Sequence, residues 1–365
     1  MSIERSKKRT VLILLFVVVL ILIIMLFINK KTARESSFIT EGRKKLAITG
    51  EVAAASNSSS LIYCVKDLLV EAEEENIRVK NIKGNIVWSQ KLQCKITGLV
   101  DTGQSIVIID SCNNISYYSL QGKLLWTYKS GYDIIDFFTE DNGSILLEYK
   151  GMTGSLAEIF AEDGSKVGNI SVENAHVLSF SAGDGAFSIS IIDTSSEVIK
   201  TKIITYNLKG DILWAHNFDG IIISKLKYSK DNRLIAIGEN RAYIYKSDGS
   251  LQEEVEIEGE ITNIAMDGYI ITIALNNKGK QYAICYDSNL REQSRVEIKA
   301  APSGIFPRRN NFIIYYNDEF LLLTNKGELT AKFKSNIDIG KVYMTPDNKV
   351  YVVSNRRLQM LEYSK

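Results

Sequence analysis

Proline and histidine are scarce in this chain: three prolines and two histidines among 365 residues. So little proline leaves backbone N–H groups free for ladders, and with abundant Ile, Val, Tyr and Phe it suits a strand-rich body. The two histidines, His176 and His216, lie near no Ser or Cys pattern of the kind that nucleophilic catalysis uses. His216, two residues after Trp214, reads as a surface residue of an outer strand. Four cysteines are present, Cys64, Cys94, Cys112 and Cys285, and none stands in Cys-x-x-Cys spacing, so zinc and dithiol motifs are unsupported. They can pair in three ways, Cys94 with Cys112 across neighbouring strands being one such pair, or stay as small buried side chains. Gly-rich phosphate loops, paired-His metal motifs and calcium-loop spacings are missing too. No catalytic, cofactor-binding or metal-binding residues are therefore expected, and no cofactor.

Apolar residues make up 45% of the chain and charged ones 24%, which excludes global disorder. A formal charge of +1 hides an asymmetry. Residues 1–45 hold ten basic side chains against three acidic ones, so the rest of the chain is mildly acidic. Such a body has no electrostatic footprint for nucleic acid.

Residues 11–28 are an unbroken apolar run of 18. As a helix this run rises about 27 Å, close to the ~30 Å hydrocarbon core of a bilayer. A cleaved signal peptide has a shorter apolar region followed by small residues, whereas Asn29-Lys30-Lys31 follows here. A lipoprotein anchor needs a Cys directly after the run, and the first is Cys64. The expectation is an uncleaved transmembrane anchor over 11–28, after a short basic cytoplasmic segment (1–10) and before a polar linker (29–41). Arg5, Lys7, Lys8 and Arg9 favour a cytoplasmic N-terminus and an extracytoplasmic body. The wealth of Ile, Lys and Asn matches an AT-rich bacterial genome, where that outside is the cell-wall zone.

Beyond the linker a short phrase recurs: Gly84-Asn85-Ile86-Val87-Trp88, Gly122-Lys123-Leu124-Leu125-Trp126 and Gly210-Asp211-Ile212-Leu213-Trp214. Its Gly position continues at 164, 249, about 290 (where Leu290 stands instead) and 327. Four residues earlier a bulky side chain recurs at Tyr118, Phe160, Tyr206, Tyr245, Tyr286 and Leu323, with Lys80 the exception. A second marker keeps the same period: turn-forming groups at 101–103, 142–143, 184–185, 231–232, 267–268, 310–311 and 347–348, each between short β-rich runs. Two markers agreeing on a period of about 40 residues predict four strands per repeat and an all-β β-propeller over 42–365. The last repeat stops one strand short, while Gly42 heads a strand-like stretch over 43–48. Pairing that stretch with the last three strands closes the ring and hides exposed edges. Eight blades are predicted, or seven if 42–48 is only linker. The tether then enters on the face of the Gly and Asp-Gly turns, and the opposite loops are offered outward.

The Tyr-x-x-x-Gly-x-Ile/Leu-Val/Leu-Trp phrase resembles the repeat of quinoprotein-dehydrogenase-like (PQQ-like) propellers, over about residues 42–365. The resemblance implies the propeller fold and is shared by dehydrogenases and by non-enzymatic envelope scaffolds, so fold does not settle function. The enzymatic members hold their quinone beside two adjacent cysteines with a calcium and a catalytic Asp, and no adjacent Cys pair exists here. The chain looks like the single-pass membrane-anchored propellers of Gram-positive bacteria.

Gly84, Trp88, Gly122, Trp126, Gly210 and Trp214 thus read as structural repeat residues, the indoles filling gaps between sheets. The acidic run of Glu71, Glu73, Glu74 and Glu75 reads as a solvated turn, or as a contact for a cation or basic partner. Pro307-Arg308-Arg309 and Arg356-Arg357 are small basic features on loops or strand ends, of a kind usually solvated, though Arg is favoured at interfaces. Outward loops place Glu73, Glu74, Glu75, Asn113, Asn114, Arg241, Lys278, Asp318, Arg356 and Arg357 as candidate binding residues. The function expected is a non-catalytic scaffold or sensor for a protein or cell-wall partner, held at the membrane through 11–28. The alternative is a hydrolase or lyase of a sugar, lactone or wall fragment, marked by carboxylates converging on the channel.

Overall fold

The computed structural model describes residues 44–54, 61–150, 154–195, 197–345, 347–354 and 356–363. The expected cytoplasmic segment, anchor and linker, with Gly42 and Arg43, lie outside them. Among the described residues the regular elements are β-strands, and no helix is long and apolar enough to cross a membrane. The strands run as successive antiparallel meanders of four, which we call units A (61–91), B (96–129), C (134–173), D (175–219), E (223–256), F (260–298) and G (304–334). Unit H joins the first and last described strands: Ile339–Met344, Val350–Ser354 and Arg357–Tyr363 are completed by Lys44–Ala53. This closing strand lies antiparallel to the last strand, from Leu46 opposite Tyr363 to Ala53 opposite Arg357, and so runs past Ile48. Its first residues also pair parallel with unit G, Lys44 opposite Ala331 and Lys45 opposite Lys332. Units G and H therefore form one continuous eight-stranded sheet.

Each unit packs a neighbour on both faces, which explains why the second strands read as continuous apolar runs rather than alternating ones. Ser105–Asp110 and Leu234–Gly238 are buried along their whole length. The fourth strands, such as Ile86–Lys91, are mostly exposed. The core is a succession of clusters at the junctions between units. Val70 and Ile77 of A meet Ile106 and Tyr118 of B. At the seam, Val52 and Leu358 of H meet Cys64 and Leu69 of A, with Tyr343 and Tyr351 stacked 5.4 Å apart beside them.

The repeated phrase has a common geometry. The residue at the Gly position donates its N–H to the carbonyl three residues earlier, as Gly122 does to Ser119 and Gly210 to Asn207. It also takes a positive φ, +84° at Gly122, where a side chain is strained. A register shift at the preceding aromatic completes the bulged hairpin, between Tyr117 and Tyr118 in unit B. Onto this turn folds the Trp of the unit before. Trp88 stacks 5.5 Å from Tyr118, and its Nε1–H donates to Leu120 O at 3.0 Å. Trp126 does the same to Phe160 (6.0 Å) and Glu162 O (2.8 Å), and Trp214 lies tilted against Tyr245 (5.5 Å) and donates to Ser247 O (3.2 Å). A Cβ at Gly122, Gly164 or Gly249 would stand 2.5–2.6 Å from the indole above it. Leu290 holds the same turn with φ 56° and is 4% exposed. Burying its side chain, about 2 kcal/mol, offsets a left-handed cost of about 1–2.

Unit C breaks the pattern. Gly168 stands where the repeat puts Trp, and Phe187 of unit D fills in, stacked 5.2 Å from Tyr206. A cavity of about 750 Å³ opens nearby, with Trp126, Phe187, Leu208 and Asp184 on its walls.

Replacing Gly122 by Ala is expected to cost roughly 2–4 kcal/mol, about half from the positive φ and half from the clash with Trp88. At Gly103 φ is +75° and nothing lies within 4 Å of an added Cβ. There Ala should cost only about 1–2 kcal/mol. Urea unfolding followed by tryptophan fluorescence compares the two. Equal losses would show that turn conformation alone, not the indole, sets the requirement.

Candidate functional site: the far loops and the channel mouth

Antiparallel alternation puts the first–second and third–fourth turns of every unit at one end, here the near end, and the second–third turns at the other, the far end. The closing strand starts at the near end, since Lys44 lies opposite Ala331, just past the Gly327 turn. All the candidate loop residues lie in or beside second–third turns, hence at the far end. Glu74, Asn113, Lys278 and Arg356 sit there with φ of 52–68°, which fixes the turns tightly.

Several of these side chains are tied locally. Glu74 pairs with Lys95 at 3.2 Å, Asn113 Nδ2 donates to Asp133 Oδ1 at 3.0 Å, and Asn114 Nδ2 donates to Asp110. Arg241 meets Glu254 at 2.5 Å, Asp318 lies 3.6 Å from Lys299, and Arg357 meets Glu51 at 3.0 Å. Glu71 departs from the solvated reading: its side chain is 3% exposed and pairs with Lys80 at 2.7 Å. His216 departs from it as well, being half-buried, stacked 4.9 Å from Tyr245 and 2.8 Å from Gly249 O. Both misreadings have one cause: burial here is set by a neighbouring strand or unit, which local spacing does not display.

Of the three possible cysteine pairings the structure forms Cys94–Cys112. The bond ties the connection between units A and B to the far-end hairpin at residues 110–114. Cys64 and Cys285 are buried thiols that burial pushes up to about 12, so neither is a thiolate near neutral pH.

At the near end the first strands of adjoining units approach one another and line the channel. Most shift register near their far-end start, between Ile96 and Gly98, Ile223 and Lys225, or Ile339 and Lys341. Such bulges re-aim side chains. Several units contribute charged groups to the mouth. Lys341 Nζ of unit H sits 3.2 Å from Tyr63 Oη and 4.5 Å over that ring. Asp101 of unit B accepts the Gly103 N–H at 2.7 Å. Burial pushes the Asp101 carboxyl above its usual range, against the pull of Gly103, Lys341 and Tyr63. Lys227 of unit E reaches past unit D to Glu140 of unit C. Burial alone would lower the Lys227 ammonium, but Glu140 and Asp141 attract it and hold it up. Asp267 of unit F accepts the Arg309 N–H at 2.5 Å.

A cavity of about 430 Å³ occupies this mouth, with Lys66, Asp101, Asp141, Phe306, Arg308 and Lys341 on its walls. Arg308 is only partly solvated. It is half-buried, its Nε is enclosed and without a hydrogen-bond partner, and among the described residues its guanidinium has no ion pair. Sequence reasoning missed this group as a whole. The signal is a charged residue at the last position of a first strand or next to it, seen at Asp101, Glu140, Lys227 and Arg308, but these stand some 40 residues or more apart.

Residues 43–362 match the family described as "Family of unknown function (DUF5711)". No curated protein matches the chain. Among solved structures, BamB from Moraxella catarrhalis is similar over 87% of this chain and 99% of its own, at 11% identity and a TM-score of 0.55. The C-terminal WD40 domain of Sif2 is similar over 90% and 99%, at 13% identity and 0.60. Apo AztD from Citrobacter koseri is similar over 79% and 88%, at 13% identity and 0.54. At these identities the likeness establishes the β-propeller fold and nothing more.

Removing Lys227 leaves Glu140, 7% exposed, without its cation. Lys227→Met is expected to destabilise by about 3 kcal/mol, and Lys227→Met with Glu140→Leu by far less, because a buried pair is costly to break but cheap to replace by apolar groups. Denaturant unfolding of both variants checks the clasp between units C and E. A double variant as unstable as the single one would refute it.

Proposed function

The chain belongs to the DUF5711 family, and we propose that it is an eight-bladed propeller with PQQ-like repeats, tethered to the membrane through residues 11–28. Its body is extracytoplasmic, and its far-end loops bind a protein or cell-wall partner as a scaffold or sensor. One observation carries this reading: the closing strand begins at the near end, so a tether and the candidate loops occupy opposite ends of the ring. Tethering raises the effective concentration of those loops towards other envelope components. A rigid ring presents them without moving parts. The Cys94–Cys112 bond supports the extracytoplasmic placement, because structural disulfides persist in oxidising compartments.

The second reading, a hydrolase or lyase centred on the channel, draws on Asp101 and Glu140, whose carboxyls burial pushes up. Each already accepts hydrogen bonds from the protein, Asp101 from Gly103 and Glu140 from Lys227. A general acid or base needs a free face towards substrate. We therefore rank binding first.

Photo-cross-linking residues placed at Lys278 or Asp318 in intact cells should capture a reproducible partner by mass spectrometry, and those at Asp184 or Asn310 should capture lipid. The reverse pattern would overturn the orientation. Alkylation of intact cells, then reduction, should leave Cys94 and Cys112 unmodified until reductant is added. Free thiols at both positions from the start would place the body in a reducing compartment.

A further inference from the structure

The near-end cavity holds cations and carboxylates, but they differ in commitment. Asp101 accepts the Gly103 N–H, and Asp141 lies 3.9 Å from Lys227 with its side chain 86% exposed. Lys341 is engaged with the Tyr63 phenol and ring. Arg308 alone of the arginines and lysines that the structure brings to this cavity combines an enclosed polar atom with the absence of any partner among the described residues. Its neighbour Arg309, by contrast, lies 5.4 Å from the Tyr269 ring centroid and is anchored through its backbone to Asp267. A guanidinium cannot shed its proton near neutral pH, so one that is half-buried, unpaired and closed off at Nε favours an anion at its remaining nitrogens. Its planar fork matches the two oxygens of a carboxylate or phosphate.

We propose that the channel mouth is a binding site for a small organic oxyanion, a carboxylate or phosphate ester, whose charged group is gripped by Arg308 and attracted by Lys341 and Lys66. Phe306 and Met344 supply apolar wall for the remainder of the ligand. The volume, about 430 Å³, is that of a small-molecule pocket. The site goes beyond partner binding at the far loops and does not depend on it. Because the closing strand starts at this end, the same oxyanion chemistry has two sources, a soluble phosphate ester or a lipid headgroup.

The test uses the full chain in detergent, with inorganic phosphate and acetate as probes and Arg308→Met as the variant. Saturable phosphate binding is expected, with a melting temperature higher by roughly 2–4 °C at phosphate ten-fold above its Kd. Arg308→Met should weaken binding at least about ten-fold. Without ligand it should melt no lower than the native protein, since the residue it removes satisfies nothing inside the fold. Arg308→Lys, which keeps the charge and loses the fork, should fall between. No saturation by either probe, or phosphate stabilisation undiminished in Arg308→Met, would overturn the proposal. A ligand-independent loss of stability in Arg308→Met would also overturn it, because the arginine would then be structural. Competition by glycerol 3-phosphate would assign the site to a soluble ester. Competition by short-chain phosphatidylglycerol but not by glycerol 3-phosphate would assign it to a headgroup.

Discussion

The ring depends on one contact: an indole from one unit laid over a side-chain-free turn of the next. The turn has to bend with positive φ, which favours glycine, and the absence of a Cβ is also what lets the indole descend onto it. The aromatic four residues earlier provides the stacking face, and a carbonyl beside the glycine takes the indole N–H. Three separate requirements of the turn, conformation, space and a free carbonyl, are thus met by one short phrase. That phrase cannot complete its contact within its own unit. The repeat is a unit of sequence but only half a unit of packing.

Where the phrase is incomplete the ring compensates by other means. Phe187 substitutes for the missing indole at Gly168, and at the seam Val52 of the closing strand lies 3.9 Å from where a Cβ of Gly84 would be. The Cys94–Cys112 bond and the Lys227–Glu140 clasp add links at opposite ends, one covalent and one ionic. A closed ring tolerates such variety because each junction contributes separately to holding the whole.

The repeat, the turn positions and the need for an N-terminal closing strand were all legible in the sequence, because hairpin chemistry is local: Asp, Asn and Gly at a turn, apolar runs either side. What was not legible lies between units. Glu71, His216 and Arg308 read as solvated because spacing along the chain does not show what stands opposite them on a neighbouring strand or unit. The charges at the channel mouth come from several repeats, on strands that are neighbours only after the ring has closed. A site of this kind has no motif; it has a position within the repeat, and that position carries different residues each time. The disulfide was legible as a possibility but not as a choice, since spacing leaves three pairings equal.

The closing strand has a mechanical consequence. Any pull transmitted from residues before Lys44 acts along the strand's own axis, towards the near end. Its hydrogen bonds to Arg357–Tyr363 run across that axis, so they are loaded in shear and share the force, rather than opening in sequence as they would if the strand were peeled sideways. The two pairs made with unit G spread the load onto a second meander. The point where the first and last described strands meet is therefore built as a lap joint, and a drag on the body would open the ring there only after several bonds had yielded together.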